Sequence, residues 1–450
     1  MVYIKAEGWL FMTGLEKLEQ VKRFDMKKKP FRQRHFLRPV TWLLSYPTVW
    51  SHRLKINRTN MDGIKPPFLL LCTHHAFIDF KVTTAALFPW RANYVVAIDG
   101  FLKREWLLRN AGGICKRKFT NDLQLIRQIR EVLAVNKDVL ALYPEARYSL
   151  VGTTAVLPDS LGKMAKLLGV PVVMLNMHGH YLNSPVWNLK DRGNRIEADY
   201  SLLFNKDDLA KSSVAHINAV IRKAFEYDEY QWQKDNQIRI SYAKRAEGLH
   251  KPLYQCPHCL SEYTTYSEGI HIGCSSCHKK WEMTEYGELQ AVQKADDEQT
   301  LVTEFSHIPH WYEFERKQVR AQIEAGTYYL KTKAYVEALP NADGYIPLGE
   351  ALLIHDMQGF KLEGMFGKKG FLLAKTPLSM YSCHIEYEYF GKGDCIDLST
   401  LEDTYYIYPK EQQFSVTKIA LATEELFAFS SKEQEITPQG LLEAVAQSPS

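Results

Sequence analysis

The chain has 450 residues, 46% of them apolar and 24% charged, with 25 Gly and 19 Pro; this is globular composition and excludes the disordered and fibrous classes. At roughly 100–200 residues per domain, the length predicts two to four domains. The net charge of +4 hides a segregation, because residues 291–450 carry 14 Lys and Arg against 24 Asp and Glu, leaving 42 basic against 28 acidic side chains on residues 1–290; a basic front end faces an anionic partner and an acidic rear does not.

The N-terminus MVYIKAEGWLFMTGLEKLEQ is broken by charge too soon for a signal peptide. No apolar run reaches the ~18–20 residues that span a bilayer, so a cytoplasmic chain is expected. Residues 1–60 hold 13 basic and 4 acidic side chains, including Lys27 to Lys29. From Phe36 to Trp50 aromatic and aliphatic residues follow Arg34 and Arg38, with Pro39 and Pro47 expected to prevent one uninterrupted helix. Residues 1–50 read either as a segment in the interface of an anionic membrane or as a solvated basic arm packed on the next domain.

Regular structure begins at FLLLC (68–72), a buried strand that ends in THHAFID. YVVAI (94–98), VLALY (139–143) and VPVVMLN (170–176) read as further strands. A helix follows Asn121, with Leu123, Ile126, Ile129 and Leu133 at helical spacing. Continuous apolar strands alternating with helices predict an α/β domain with a mixed central sheet over 51–248. Beyond it CPHC (256–259) and CSSC (274–277) mark a ribbon over 249–286. Short alternating runs such as TYYLKTKAYVEAL and TYYIYP then predict an all-β sandwich or barrel, an acidic β-rich domain over 287–450. The polar tail is expected to hold a short helix at 440–446.

Four constellations in the α/β region carry chemistry. Thr73-His74-His75-Ala76-Phe77-Ile78-Asp79 stands where a buried strand ends, the place where open α/β sheets put their sites. A neutral imidazole can take a proton from an alcohol near pH 7, and a carboxylate behind it fixes the tautomer. Gly112-Gly113 followed by Lys116-Arg117-Lys118 suits a phosphate, or is a surface turn with solvated bases. Glu145 and Arg147 in YPEARYS, after the third strand, can bind hydroxyls and phosphate or form a structural ion pair. Gly169-Val170-Pro171-Val172 forms the floor.

In this order and spacing the four blocks, over about residues 35–230, resemble the glycerolipid acyltransferase family, whose best known members are the 1-acylglycerol-3-phosphate acyltransferases. His74 and Asp79 fall on its H-x4-D block, Gly112 and Arg117 on its glycine-arginine block, Glu145 on its F-P-E-G-T-R-S block and Pro171 on its V-P-V block. The resemblance implies that His74 deprotonates a hydroxyl of a glycerol phosphate or lysophospholipid acceptor and that Asp79 orients the imidazole. Acyl-CoA or acyl carrier protein would donate the acyl group, directly and with no catalytic metal. Gly112, Arg117, Glu145 and Arg147 would bind the acceptor. The third block departs from the pattern, reading YPEARYS with Ala146 for Gly, Arg147 for Thr and Tyr148 for Arg. The His doublet leaves His75 as a rival base; His74 is preferred because the family places its His ahead of the helix.

Cys256, Cys259, Cys274 and Cys277 can close a tetrahedral Zn2+ shell, a structural site in a separately folding ribbon. Cys72, Cys115, Cys383 and Cys395 are scattered and build no disulfide framework. His178 and His180 in MHGHYL lack a visible third partner, and a packed or surface role is expected of them. A nucleic-acid-binding adaptor on a degenerate acyltransferase scaffold is the opposing reading, but the ribbon interior SEYTTYSEGIHIG has two Glu and no Lys or Arg, so nucleic acid fits poorly.

Overall fold

Every residue of the strand Leu69–Cys72 (β2) is buried, and its side chains divide between two cores. Leu69 and Leu71 face the cluster of Leu125, Ile129, Leu161, Ala165, Ile217 and Ile221. Leu70 and Cys72 face Val49, Val82, Ala86 and Leu87. A strand apolar on both faces must be covered on both, and helices do so here. The computed structural model describes residues 12–292, 301–411 and 415–436; the helix expected at 440–446 and the first eleven residues of the N-terminal segment lie outside them.

The chain divides into two compact units, one of residues 25–116 and 122–312, the other of 1–24, 117–121 and 313–450. In the first, a seven-stranded sheet is built from β1 (Lys55–Thr59), β2, β3 (Ala92–Ala97), β4 (Gly113–Lys116), β5 (Val139–Leu142), β6 (Val172–His178) and β7 (Glu197–Phe204). Its order is β1-β7-β6-β2-β5-β3-β4. All neighbours are parallel except β6 and β7, so the sheet is the expected mixed α/β sheet. Sequence reading had no signal for β1, a polar edge strand, or for β7.

The second glycine block proves to be a strand, not a phosphate loop. Gly113 opens β4, and Gly112 makes the approach to β3, with φ of +95° and the carbonyl oxygen of Ala92 only 2.7 Å from where a Cβ would sit. Asn93 Nδ2 donates to the Gly112 carbonyl at 2.9 Å. The N-terminal segment also differs from expectation: Leu37–Ser51 is one helix with Pro47 inside it. Pro39 lies in its first turn, where a missing N–H costs nothing.

The same unit contains the ribbon, a four-stranded antiparallel sheet of β8 (Thr265–Glu268), β9 (His271–Cys274), β10 (Lys280–Met283) and β11 (Leu289–Ala291). It is not separate from what precedes it. Ile240 N–H donates to the Glu285 carbonyl at 2.8 Å, Arg245 Nε to the Met283 carbonyl at 2.7 Å, and Trp311 Nε1 to the Gln255 carbonyl at 2.8 Å.

In the second unit the described residues form one antiparallel sheet of seven strands, β12 (Tyr329–Leu339), β13 (Ile346–Asp356), β14 (Gly359–Phe366), β15 (Lys369–Lys375), β16 (His384–Glu386), β17 (Cys395–Ser399) and β18 (Thr404–Pro409), in the order β15-β14-β13-β12-β18-β17-β16. The domain is β-rich as expected, but the expected sandwich or barrel is corrected. The helix Val416–Ile436 buries Val416, Ile419, Ala420, Leu421 and Leu426, so a helix supplies apolar surface that a second sheet would provide in a sandwich.

Candidate functional site

β6, β2 and β5 are adjacent and parallel, so their C-terminal ends lie together at one end of the sheet. Helical structure after β2 begins only at Asp79, leaving 74–78 as a loop. The loop lets the His74 ring turn back, with Nδ1 3.1 Å from Asp79 Oδ2. The same oxygen accepts the backbone N–H groups of His75 at 2.7 Å and Ala76 at 3.0 Å. The other oxygen, Oδ1, lies 2.6 Å from Nδ1 of His180, on the turn after β6.

Asp79 is buried, which by itself disfavours its charge, yet the hydrogen bonds from His180 and His74 outweigh burial and hold the carboxyl well below the usual carboxylate range. An ionised carboxylate only accepts hydrogen bonds. In the neutral form each imidazole therefore carries its proton on Nδ1 and its lone pair on Nε2. The two rings differ in access, the His74 side chain being 25% exposed and the His180 side chain 0%. His74 packs against the rings of Tyr143 and Tyr148, at centroid distances of 4.6 and 4.3 Å. His75 turns the other way, onto Tyr227 at 5.2 Å, and burial lowers its pKa to about 3, so it stays neutral. Of the His74–His75 doublet, the ring that meets Asp79 is thus that of His74.

Glu145 leaves β5 and is fully buried. Its Oε2 accepts the backbone N–H of His74 and its Oε1 that of Ala155, both at 2.8 Å. Burial raises its pKa to about 7 in spite of these donors and of the positive charge of Arg147, itself buried. Expected at the acceptor, Glu145 is spent on holding the His74 loop. Ala146, at the position of the family's Gly, has φ of +57°, so the turn keeps the left-handed conformation a glycine would take. Gly112 belongs to the β3–β4 approach already described. Arg117, also expected at the acceptor, lies in the other unit, buried. There its guanidinium donates to the carbonyls of Leu339 at 2.9 Å and Pro340 at 2.8 Å and to Thr404 Oγ1 at 3.0 Å.

His180 is packed, its ring wholly buried, but it also reaches Asp79, a partner the sequence did not reveal. Its signal was position: it follows a strand that neighbours β2, and Gly179 before it has φ of +82° with the Arg195 carbonyl oxygen 2.6 Å from a Cβ position. His178 does pack, 2.8 Å from Asp199 Oδ2 and stacked on Trp232.

The four ribbon cysteines converge, their sulfur atoms all within 4.8 Å of one another. Both CxxC turns have the same hydrogen bonds: Cys256 N–H to Ser261 and Leu260 N–H to Cys256, then Cys274 N–H to Lys279 and His278 N–H to Cys274, all at 2.9–3.0 Å. Leu260 and His278 both adopt positive φ, 66° and 61°. Such a cluster can hold a metal ion through four thiolates. Near the His74 loop, Phe77 is 72% exposed, and Phe36, Leu43, Leu44 and Trp50 in and beside the helix Leu37–Ser51 are exposed as well. Among the described residues no helix is long and apolar enough to cross a membrane.

No protein-family model matches this chain, and no curated protein does. Among solved structures it is similar to the 1-acyl-sn-glycerophosphate acyltransferase PlsC from Thermotoga maritima, with 13% identity and a TM-score of 0.33, over 42% of this chain and 78% of that one.

A carboxyl whose folded pKa is raised is stabilising while protonated and loses that contribution as pH rises through the folded value. Glu145, at about 7 against an ordinary 4.5, therefore makes unfolding free energy fall as pH rises from about 4.5 to about 7. Glu145→Gln is expected to flatten that fall in urea titrations at a series of pH values; an unchanged slope counts against it. Because the ribbon is hydrogen-bonded to residues 240–245, metal chelation is expected to lower the melting temperature of the α/β unit as well. Calorimetry with and without chelator checks this, and an unmoved main transition contradicts it.

Proposed function

We propose that the chain is an O-acyltransferase that moves a fatty acyl group from acyl-CoA or acyl carrier protein to a hydroxyl of a glycerol phosphate or lysophospholipid acceptor. The observation that carries the reading is the pairing of His74 Nδ1 with the ionised, buried Asp79 carboxylate. It leaves Nε2 of a partly exposed imidazole as the proton acceptor. The ordered blocks from His74 to Pro171, which resemble the glycerolipid acyltransferases, support the substrate class.

In this mechanism the acceptor hydroxyl gives its proton to His74 Nε2 as its oxygen attacks the thioester carbonyl carbon. Asp79 stabilises the imidazolium that forms. The tetrahedral oxyanion collapses, the C–S bond breaks, and the leaving thiolate takes the proton back from His74. Glu145 contributes by fixing the His74 backbone N–H rather than by touching substrate. The basic N-terminal region and the exposed Phe36, Leu43, Leu44, Trp50 and Phe77 suit an anionic membrane surface, where apolar side chains enter the interface and Lys and Arg meet headgroups.

The ribbon metal is proposed to be Zn2+ in a structural role. Tetrahedral geometry with Zn–S bonds of about 2.3 Å requires sulfur–sulfur edges of about 3.8 Å. The Cys256–Cys277 and Cys259–Cys274 separations are 3.8 and 3.7 Å. Four thiolates fill the shell and leave no position for substrate.

Free thiol release from long-chain acyl-CoA, with glycerol 3-phosphate or its 1-acyl derivative as acceptor, tests the reaction. His74→Ala is expected to lower turnover by about 10²–10⁴-fold; turnover equal to wild type, or none with any acceptor, sinks the reading. Sedimentation with liposomes tests the surface: binding to anionic vesicles is expected to weaken as salt rises, and salt-independent binding refutes the headgroup contacts.

A further inference from the structure

We propose that His180 is a positioning residue of this site: its Nδ1–H holds Asp79 Oδ1 so that Oδ2 stays on His74, and it thereby sets how readily His74 takes a proton. The catalytic meaning rests on the acyl-transfer reading above. The effect on His74 rests on geometry alone.

Asp79 Oδ2 has three donors, the His75 and Ala76 backbone N–H groups and His74 Nδ1. The only donor at Oδ1 among the described hydrogen bonds is His180, at 2.6 Å. A buried carboxylate oxygen without a donor is costly, so without His180 the carboxylate, its Oδ2 still held by the His75 and Ala76 N–H groups, would draw more strongly on His74. The His180 ring is wholly buried, which makes it a support and not a substrate contact. Its turn is itself held. Asn183 Nδ2 donates to the Gly179 carbonyl at 2.9 Å, and Glu229 Oε1 accepts the Leu182 N–H at 3.1 Å.

The other titratable groups in electrostatic reach of Asp79 or His180 are Cys72, His74, His75, Tyr143, Glu145 and Glu229, with His178 in reach of His75. Of these only His74 shares the Asp79 carboxylate with His180 through a side-chain hydrogen bond. Each donor to the carboxylate spreads its charge. Removing one leaves more charge for the remaining imidazole, so His74 binds its proton more tightly and titrates at higher pH. The direction is the same whether His180 is neutral or charged, since a lost cation also favours protonation of His74.

Two substitutions in the full chain separate the donor from the bulk. His180→Asn puts an amide N–H near the place of Nδ1, and His180→Leu fills the space without a donor. The readout is carbethoxylation of His74 by diethyl pyrocarbonate across pH, followed by mass spectrometry of its peptide, which needs no substrate. His180→Leu is expected to move the midpoint of His74 reactivity up by about half a pH unit or more, and His180→Asn to return it toward wild type. In thiol-release assays the Leu variant is expected to lose at least about 10-fold in kcat with KM little changed, its acid limb moving in step with the reactivity midpoint. If neither variant moves the midpoint, or Asn moves it as far as Leu, the proposal is overturned. If Leu prevents folding, His180→Gln replaces it, because its amide reaches the Nε2 position and misses Asp79. A shifted midpoint in a chain that transfers no acyl group to any acceptor supports the positioning role and overturns the acyl-transfer reading.

Discussion

A carboxylate sealed from water is tolerated only when donors surround it, and Asp79 has four: two backbone N–H groups and two imidazoles. Meeting that requirement dictates the local structure. The helix begins only at Asp79, which leaves the His75 and Ala76 N–H groups to point at its carboxylate. The loop after β2 and the turn after β6 must also arrive together, which the parallel pairing of β2 with β6 ensures. An uncompensated buried charge costs several kcal/mol, so loop, turn and strand register are coupled to one side chain.

Glu145 repeats the device on the other neighbour of β2. Its two oxygens clasp the His74 and Ala155 N–H groups, tying the β5 end to the same loop. Yet the two carboxyls differ electrically. Imidazole donors keep Asp79 ionised, whereas at Glu145 burial outweighs two backbone donors and the charge of Arg147, and the carboxyl moves toward neutrality. The difference suits their places: a carboxylate behind an imidazole must be charged to stabilise the imidazolium, while a loop clasp works by accepting hydrogen bonds in either form.

Charge arithmetic takes on another meaning in the C-terminal unit. Some of its carboxylates are paired inside the unit. Glu425 is held by Arg316 and Arg320, Glu424 by Arg316, Glu337 by Lys392, and Asp403 by Arg23. Arg117 is drawn into the same interior by two carbonyls and a hydroxyl. A residue whose spacing matches a ligand-binding block is here an internal strut, because buried carbonyl oxygens at the end of a strand need a donor as much as a phosphate does.

The amino-acid sequence by itself determined the elements whose cause is local. The strands at 69–72 and 139–142, and the 172–175 part of the strand Val172–His178, are legible because burial on both faces makes them continuously apolar. The cysteine cluster is legible because each CxxC turn presents its two sulfurs through its own backbone. Only the tertiary structure decided the rest. That His180 joins Asp79, 101 positions away in the chain, depends on strand order, and strand order is set by the packing of all seven strands at once. That Gly112 serves a close strand approach and Arg117 an interior depends on which backbone lies opposite each, and no spacing along the chain encodes a neighbour brought from elsewhere.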